Sequence, residues 1–150
     1  MQNIQSKATP THSFEIFLAA AGAFVSLLLS VRAGQVVSLS QPMWPLPGLY
    51  LIETAGVSFI ALLGIVRGGS LGASVAWSIV GLLLAFAAMG AWSIGLLFLP
   101  VALIFALAAN LSDRRQGLSV MRHIGLSVLA GMAQIILMFT VVRLMQPIIF

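Results

Sequence analysis

The sequence predicts an all-α fold: an integral membrane bundle of five transmembrane helices, with the N-terminus cytoplasmic and the C-terminus external. Three observations carry this expectation. The stretch from Leu71 to Leu111 holds no charged side chain. As a single helix it would reach about 60 Å, twice the roughly 30 Å of a hydrocarbon core, so it must cross a bilayer twice. The chain as a whole is 61% hydrophobic and 7% charged, with a mean hydropathy of +1.13, whereas about a quarter of residues in soluble domains are charged. Finally, five spans divide the basic residues unevenly, with Lys7, Arg67, Arg114, Arg115 and Arg122 on one side and Arg32 and Arg143 on the other. The richer side is expected to face the cytoplasm. Treating 71–111 as one span would remove that bias.

Residues 1–13 form a short polar tail ahead of a single domain over 14–145. The first span, 14–31, is longer than the apolar core of a signal peptide, and Val31-Arg32-Ala33 makes a poor cleavage site, so it is expected to be retained. Residues 32–45 carry the breakers Gly34, Pro42 and Pro45 and form the longest irregular connection, with room for a short interfacial segment. The second span covers 46–66 and ends at Arg67-Gly68-Gly69-Ser70, where glycine stops one helix and serine starts the next. Spans three and four, 71–89 and 93–111, meet at Met89-Gly90-Ala91-Trp92-Ser93. There Gly90 is expected to take a left-handed cap and Ser93 to cap the following helix, with Trp92 at headgroup level. Ser112 to Gly117 reads as a polar loop. The fifth span, 124–142, ends at Arg143, and Pro147 is expected to stop the helix before an apolar tail, 146–150.

The polar groups inside the spans are the candidate sites. Glu53 falls in the outer third of the hydrocarbon, where an ionisable group needs a partner or a water-filled cavity. Arg32 and Arg143 lie on the same side and can snorkel toward it, which gives an intramembrane ion pair; the alternatives are a proton or substrate site and a group facing a partner subunit. Gln134, near the middle of span five, is expected to hydrogen-bond across helices. At the inner interface Glu15 is expected to pair with Arg67 or Arg122. Pro100, placed inside span four, would remove the hydrogen bond to the Leu96 carbonyl and kink the helix. Gly64 and Gly68 have GxxxG spacing, although Gly68 belongs to the turn. Gly22, Ser26 and Ser30, and likewise Ala102 and Ala106, form small-residue stripes that would suit contact with a partner helix.

Several chemistries find no support. The scattered basic residues do not form a nucleic-acid footprint despite a net charge of +4, and the chain has no cysteine. His12 and His123 both fall at the inner interface, so no span offers haem ligands, and two histidines without cysteine make a poor metal site. No hydrolase, Walker or dinucleotide motif occurs. Hence no cofactor and no enzymatic activity are expected.

The run Ser93-Ile94-Gly95-Leu96-Leu97-Phe98-Leu99-Pro100, with the preceding Pro45-Leu46-Pro47-Gly48-Leu49-Tyr50-Leu51-Ile52-Glu53, resembles small uncharacterised bacterial multi-span membrane proteins. The resemblance implies a multi-pass bacterial protein, expected in the inner membrane, and supplies no activity. The expected function is that of a non-enzymatic accessory or assembly subunit, in contact with lipid and with other membrane subunits or a second copy. The alternative is a small homo-oligomeric transporter or channel using Glu53.

Overall fold

The computed structural model describes residues 10–39, 48–91 and 94–149. The tail before Pro10, the loop carrying Pro42, Trp44 and Pro45, and the turn residues Trp92 and Ser93 lie outside them. Among the described residues there are five helices: α1 (Pro10–Ser38), α2 (Gly48–Arg67), α3 (Gly69–Met89), α4 (Leu99–Gln116) and α5 (Val120–Ile149), with a 3-10 turn, Gly95–Phe98, leading into α4. Helices α1, α2, α3 and α5, and α4 together with the 3-10 turn before it, each give a segment long and apolar enough to cross a membrane. The chain is a multi-pass helical membrane protein.

Helices α1 to α4 close a ring in which each packs on the next and α4 returns to α1. The ring encloses Ile65, Leu83, Phe86, Phe98, Val101 and Phe105, all fully buried. Tyr50 pins one end of this core. Its ring meets Phe86 and Phe98 edge-on at 5.0 and 6.0 Å, and its hydroxyl donates to the Phe86 carbonyl at 3.0 Å. Helix α5 stands outside the ring, laid along α3, and is largely exposed.

Small residues set the helix spacing. A Cβ on Gly72 would strike the Gly64 carbonyl, which brings α2 and α3 together. A Cβ on Gly81 would strike the Ser127 carbonyl, and one on Gly131 would lie 2.9 Å from the Gly81 carbonyl. Backbones this close gain dense van der Waals contact, the main attraction available to helices in lipid. The Gly64 and Gly68 pair is thus not the contact motif, because Gly64 meets Gly72 instead. The α1 stripe faces inward: Gly22 lies against Ile104 and Phe105 of α4, and the hydroxyl of Ser58 on α2 sits 2.8 Å from Ser26 Oγ. Ala102 is also buried. Neither stripe is therefore a lipid-facing surface.

Several boundaries differ from the sequence expectation for local reasons. Helix α1 runs through Arg32 and Gly34 to Ser38, because a backbone leaving lipid is best satisfied within its own helix. The α2–α3 turn uses Gly68 and Gly69, both left-handed at φ 67° and 72°, and α3 starts without a side-chain cap. Gly90 is not left-handed, with φ −90°. It is needed because its backbone meets that of Gly95, whose N–H donates to the Gly90 carbonyl at 2.8 Å. Pro100 stands in the first turn of α4, where a missing N–H costs nothing, and so starts a helix rather than kinking one. Residues 112–116 are the last turns of α4, closed by left-handed Gly117 and the Leu118 N–H to Asp113 carbonyl bond of 2.9 Å. Helix α5 continues past Arg143 and Pro147 to Ile149; a proline this near the end of a helix removes a single backbone bond and leaves little helix beyond it to disturb.

The α3–α5 crossing yields a paired prediction. Gly81→Ala must push α5 off its seat and should cost at least about 2 kcal/mol, at the upper side of overpacking effects. Gly125→Ala, on the same helix as Ser127 but with open space where its Cβ would stand, should be neutral or gain up to about 1 kcal/mol from helix propensity. Thermal unfolding of both variants in mild detergent checks this.

Candidate functional site

The antiparallel ring brings the ends of α2 and α4 and the starts of α1, α3 and α5 to one end of the bundle, and the polar side chains concentrate there. Asp113, in the last turn of α4, is fully buried. Two donors hold its carboxylate. Trp77 of α3 donates its indole Nε1–H to Oδ2 at 2.8 Å. His123 of α5 places Nδ1 at 3.0 Å from Oδ1 and 2.9 Å from Oδ2. A proton on Nδ1 is required for that contact, since a carboxylate only accepts. The other ring nitrogen, Nε2, lies 3.3 Å from Ser74 Oγ on α3. Ser74 Oγ is also 2.9 Å from the Ser70 carbonyl. The order is carboxylate, imidazole, hydroxyl, and His123 is only 4% exposed.

Beside Ser74 and His123 an open groove of about 390 Å³ runs between the starts of α3 and α5, lined also by Ser70, Leu71, Ser119 and Arg122. It combines apolar walls with one cation.

Glu15, at the start of α1, is fully buried at the same end. Arg115 of α4 grips it, with Nε at 2.9 Å from Oε1 and Nη2 at 3.0 Å from Oε2. His12 Nδ1 joins at 3.4 Å from Oε2. The partner is Arg115, not Arg67 or Arg122, both of which are exposed. Residue 115 projects from a helical turn beside α1, although its neighbourhood reads as a loop in the sequence.

The second expected site divides differently from its prediction. Glu53 on α2 accepts a hydrogen bond from Gln134 Nε2 of α5 at 3.1 Å, reaching across the flank of α3. Gln134 therefore makes the interhelical contact expected of it. Arg32 and Arg143 form no ion pair with Glu53 among the described residues; they extend from α1 and α5 on exposed faces. Glu53 itself is half-buried.

Asp113 is absent from the sequence-predicted sites because residues 112–117 read as a polar loop, which leaves a carboxylate there in water; Ser74 and Trp77, inside span three, carry no charge that singles them out. One pattern does point to Asp113: Val101, Phe105, Ala108, Ser112 and Asp113 continue a single helical stripe, and Gly117 supplies the stop that such a helix needs. Among the described residues no group of three or more His, Asp or Glu side chains could hold a metal. Comparison with family models, curated proteins and solved structures finds no significant match.

The pairing of Glu15 is directly testable. Arg115→Met leaves a buried carboxylate without its cation and should lower stability by about 2–4 kcal/mol, somewhat under the cost at a fully enclosed pair because Arg115 is 28% exposed. Arg67→Gln and Arg122→Gln should each stay within about 0.5 kcal/mol. Unfolding midpoints of the three variants decide between the partners.

Proposed function

We propose that the protein is a subunit of a larger membrane assembly, and that its contact surface is the side on which α2 and α5 flank α3. The observation that supports this is Glu53. Glu53 is only partly buried on a membrane-spanning helix; its carboxylate receives a hydrogen bond from a neutral amide and forms no ion pair among the described residues. An ionisable group so placed in lipid is costly unless something covers it. A neighbouring chain, either a second copy or another membrane subunit, completes the site. Helix α5 suits the same role, because it rests on α3 and leaves most of its surface uncovered. The basic end holding Arg67, Arg114, Arg115 and Arg122 faces the cytoplasm in this reading, following the bias of basic residues.

The partly buried carboxylate also favours a second reading, in which two copies enclose a pathway and Glu53 carries a proton. The two readings differ in outcome. Extraction in mild detergent should give a native mass above that of one chain, and Glu53→Leu should reduce the particle to a single folded chain under the assembly reading. Under the transport reading Glu53→Gln should keep the oligomer and remove the pH dependence of flux in proteoliposomes. A wild-type protein that is monomeric at every detergent ratio, including in lipid nanodiscs, would contradict both. Orientation is checked separately, and without background because the chain has no cysteine: Gln35→Cys should react with an impermeant maleimide from outside, and Gln116→Cys should not.

A further inference from the structure

We propose that Ser74 is a nucleophile activated by His123, with Asp113 and Trp77 as positioning residues, and that the groove beside it accepts an amphiphilic carboxylic ester. Only the folded chain provides the geometry. The three groups come from three helices and are ordered as a nucleophile, a base and an orienting acid must be. Asp113 fixes the proton on Nδ1 and the Trp77 indole fixes Asp113, so Nε2 presents its lone pair to Ser74 Oγ at 3.3 Å. The hydroxyl proton has two acceptors within reach, the Ser70 carbonyl and His123 Nε2, and rotation about one bond moves it from the first to the second.

The chemistry balances with water as the only co-reactant. Ser74 Oγ attacks the ester carbonyl carbon while its proton passes to His123 Nε2. The tetrahedral intermediate collapses, the acyl C–O bond breaks, and His123 returns the proton to the departing alkoxide. Water, deprotonated by the same imidazole, then cleaves the acyl–Ser74 ester, releasing the carboxylic acid and restoring the hydroxyl. The buried Asp113 carboxylate balances the imidazolium formed in each half. Leu71 and the wall at Leu118 suit an acyl chain, and Arg122 suits a polar or anionic remainder. The groove opens at the bundle end, where an amphiphile in the bilayer presents its ester linkage.

The test is covalent labelling of the full-length protein, purified in mild detergent, with an alkyl fluorophosphonate probe and peptide mapping of the adduct. The expected result is a single adduct on Ser74, lost in Ser74→Ala. His123→Gln and Asp113→Asn should slow labelling at least ~100-fold, the scale of general-base catalysis, and Asp113→Asn should also flatten its pH profile. Ser74→Cys supplies a check that does not depend on those variants folding. It creates the only thiol in the chain, and iodoacetamide should alkylate it at least ~10-fold faster than the thiol of Ser119→Cys in the same groove, because a neighbouring imidazole favours the thiolate. A folded wild type that carries no adduct on Ser74, a labelling rate unchanged in folded His123→Gln, or a Ser74→Cys thiol no faster than that of Ser119→Cys would each overturn the proposal and leave the three side chains as a tie between helices.

Discussion

The close approach of α3 and α5 is the contact on which both polar sites depend. Helix α5 lies outside the four-helix ring and meets it along α3, so its place is set where the Gly81, Ser127 and Gly131 backbones touch. The two helices run in the same direction. That one seam therefore delivers His123 to Asp113 and Ser74 at the basic end, and delivers Gln134 to Glu53 toward the other end. In lipid no hydrophobic effect pulls helices together, and packing of this kind has to supply the attraction. The small residues at the crossing are what allow it.

The buried polar groups follow the same rule as the backbone. An unpaired group in hydrocarbon costs several kcal/mol, and the ring satisfies most of its own: Ser58 lies beside Ser26, Thr54 Oγ1 donates to the Tyr50 carbonyl at 2.7 Å, and Arg115 holds Glu15, while Ser30 Oγ is buried without a partner among the described residues. Against that background Glu53 and the relay at Ser74 stand apart. Glu53 is incompletely covered, and the relay ends at an open groove. Each has an unfilled side, and the functional readings start from those two places.

Spans are legible because apolar length and the distribution of basic residues are one-dimensional signals. Five helices follow from the charge-free run at 71–111 and its counterparts. Gln134 is legible for a similar reason, since an amide inside a span must find a partner. What stays hidden depends on which neighbour a side chain meets. Glu15 can be assigned an arginine but not the right one, because the last turns of α4 look like loop. Pro100 looks like a kink because the 3-10 turn at Gly95–Phe98 is as apolar as the helix it precedes. Gly90 looks like a cap, while its true constraint is a contact with Gly95. The stripe at Gly22, Ser26 and Ser30 is visible, but spacing alone does not say whether a small-residue face meets the same chain or another.

Cross-linking across the α3–α5 seam in the membrane tests this arrangement most directly. Ala88 and Ile135 line one groove between the two helices, whereas Leu129 is exposed on α5. In the otherwise cysteine-free chain, Ala88→Cys combined with Ile135→Cys should give an intramolecular product with a short bifunctional maleimide, and Ala88→Cys combined with Leu129→Cys should not. Failure of the first pair, or equal yields from both, would show that α5 is not seated on α3 as described, and the sites at both ends would lose their common support.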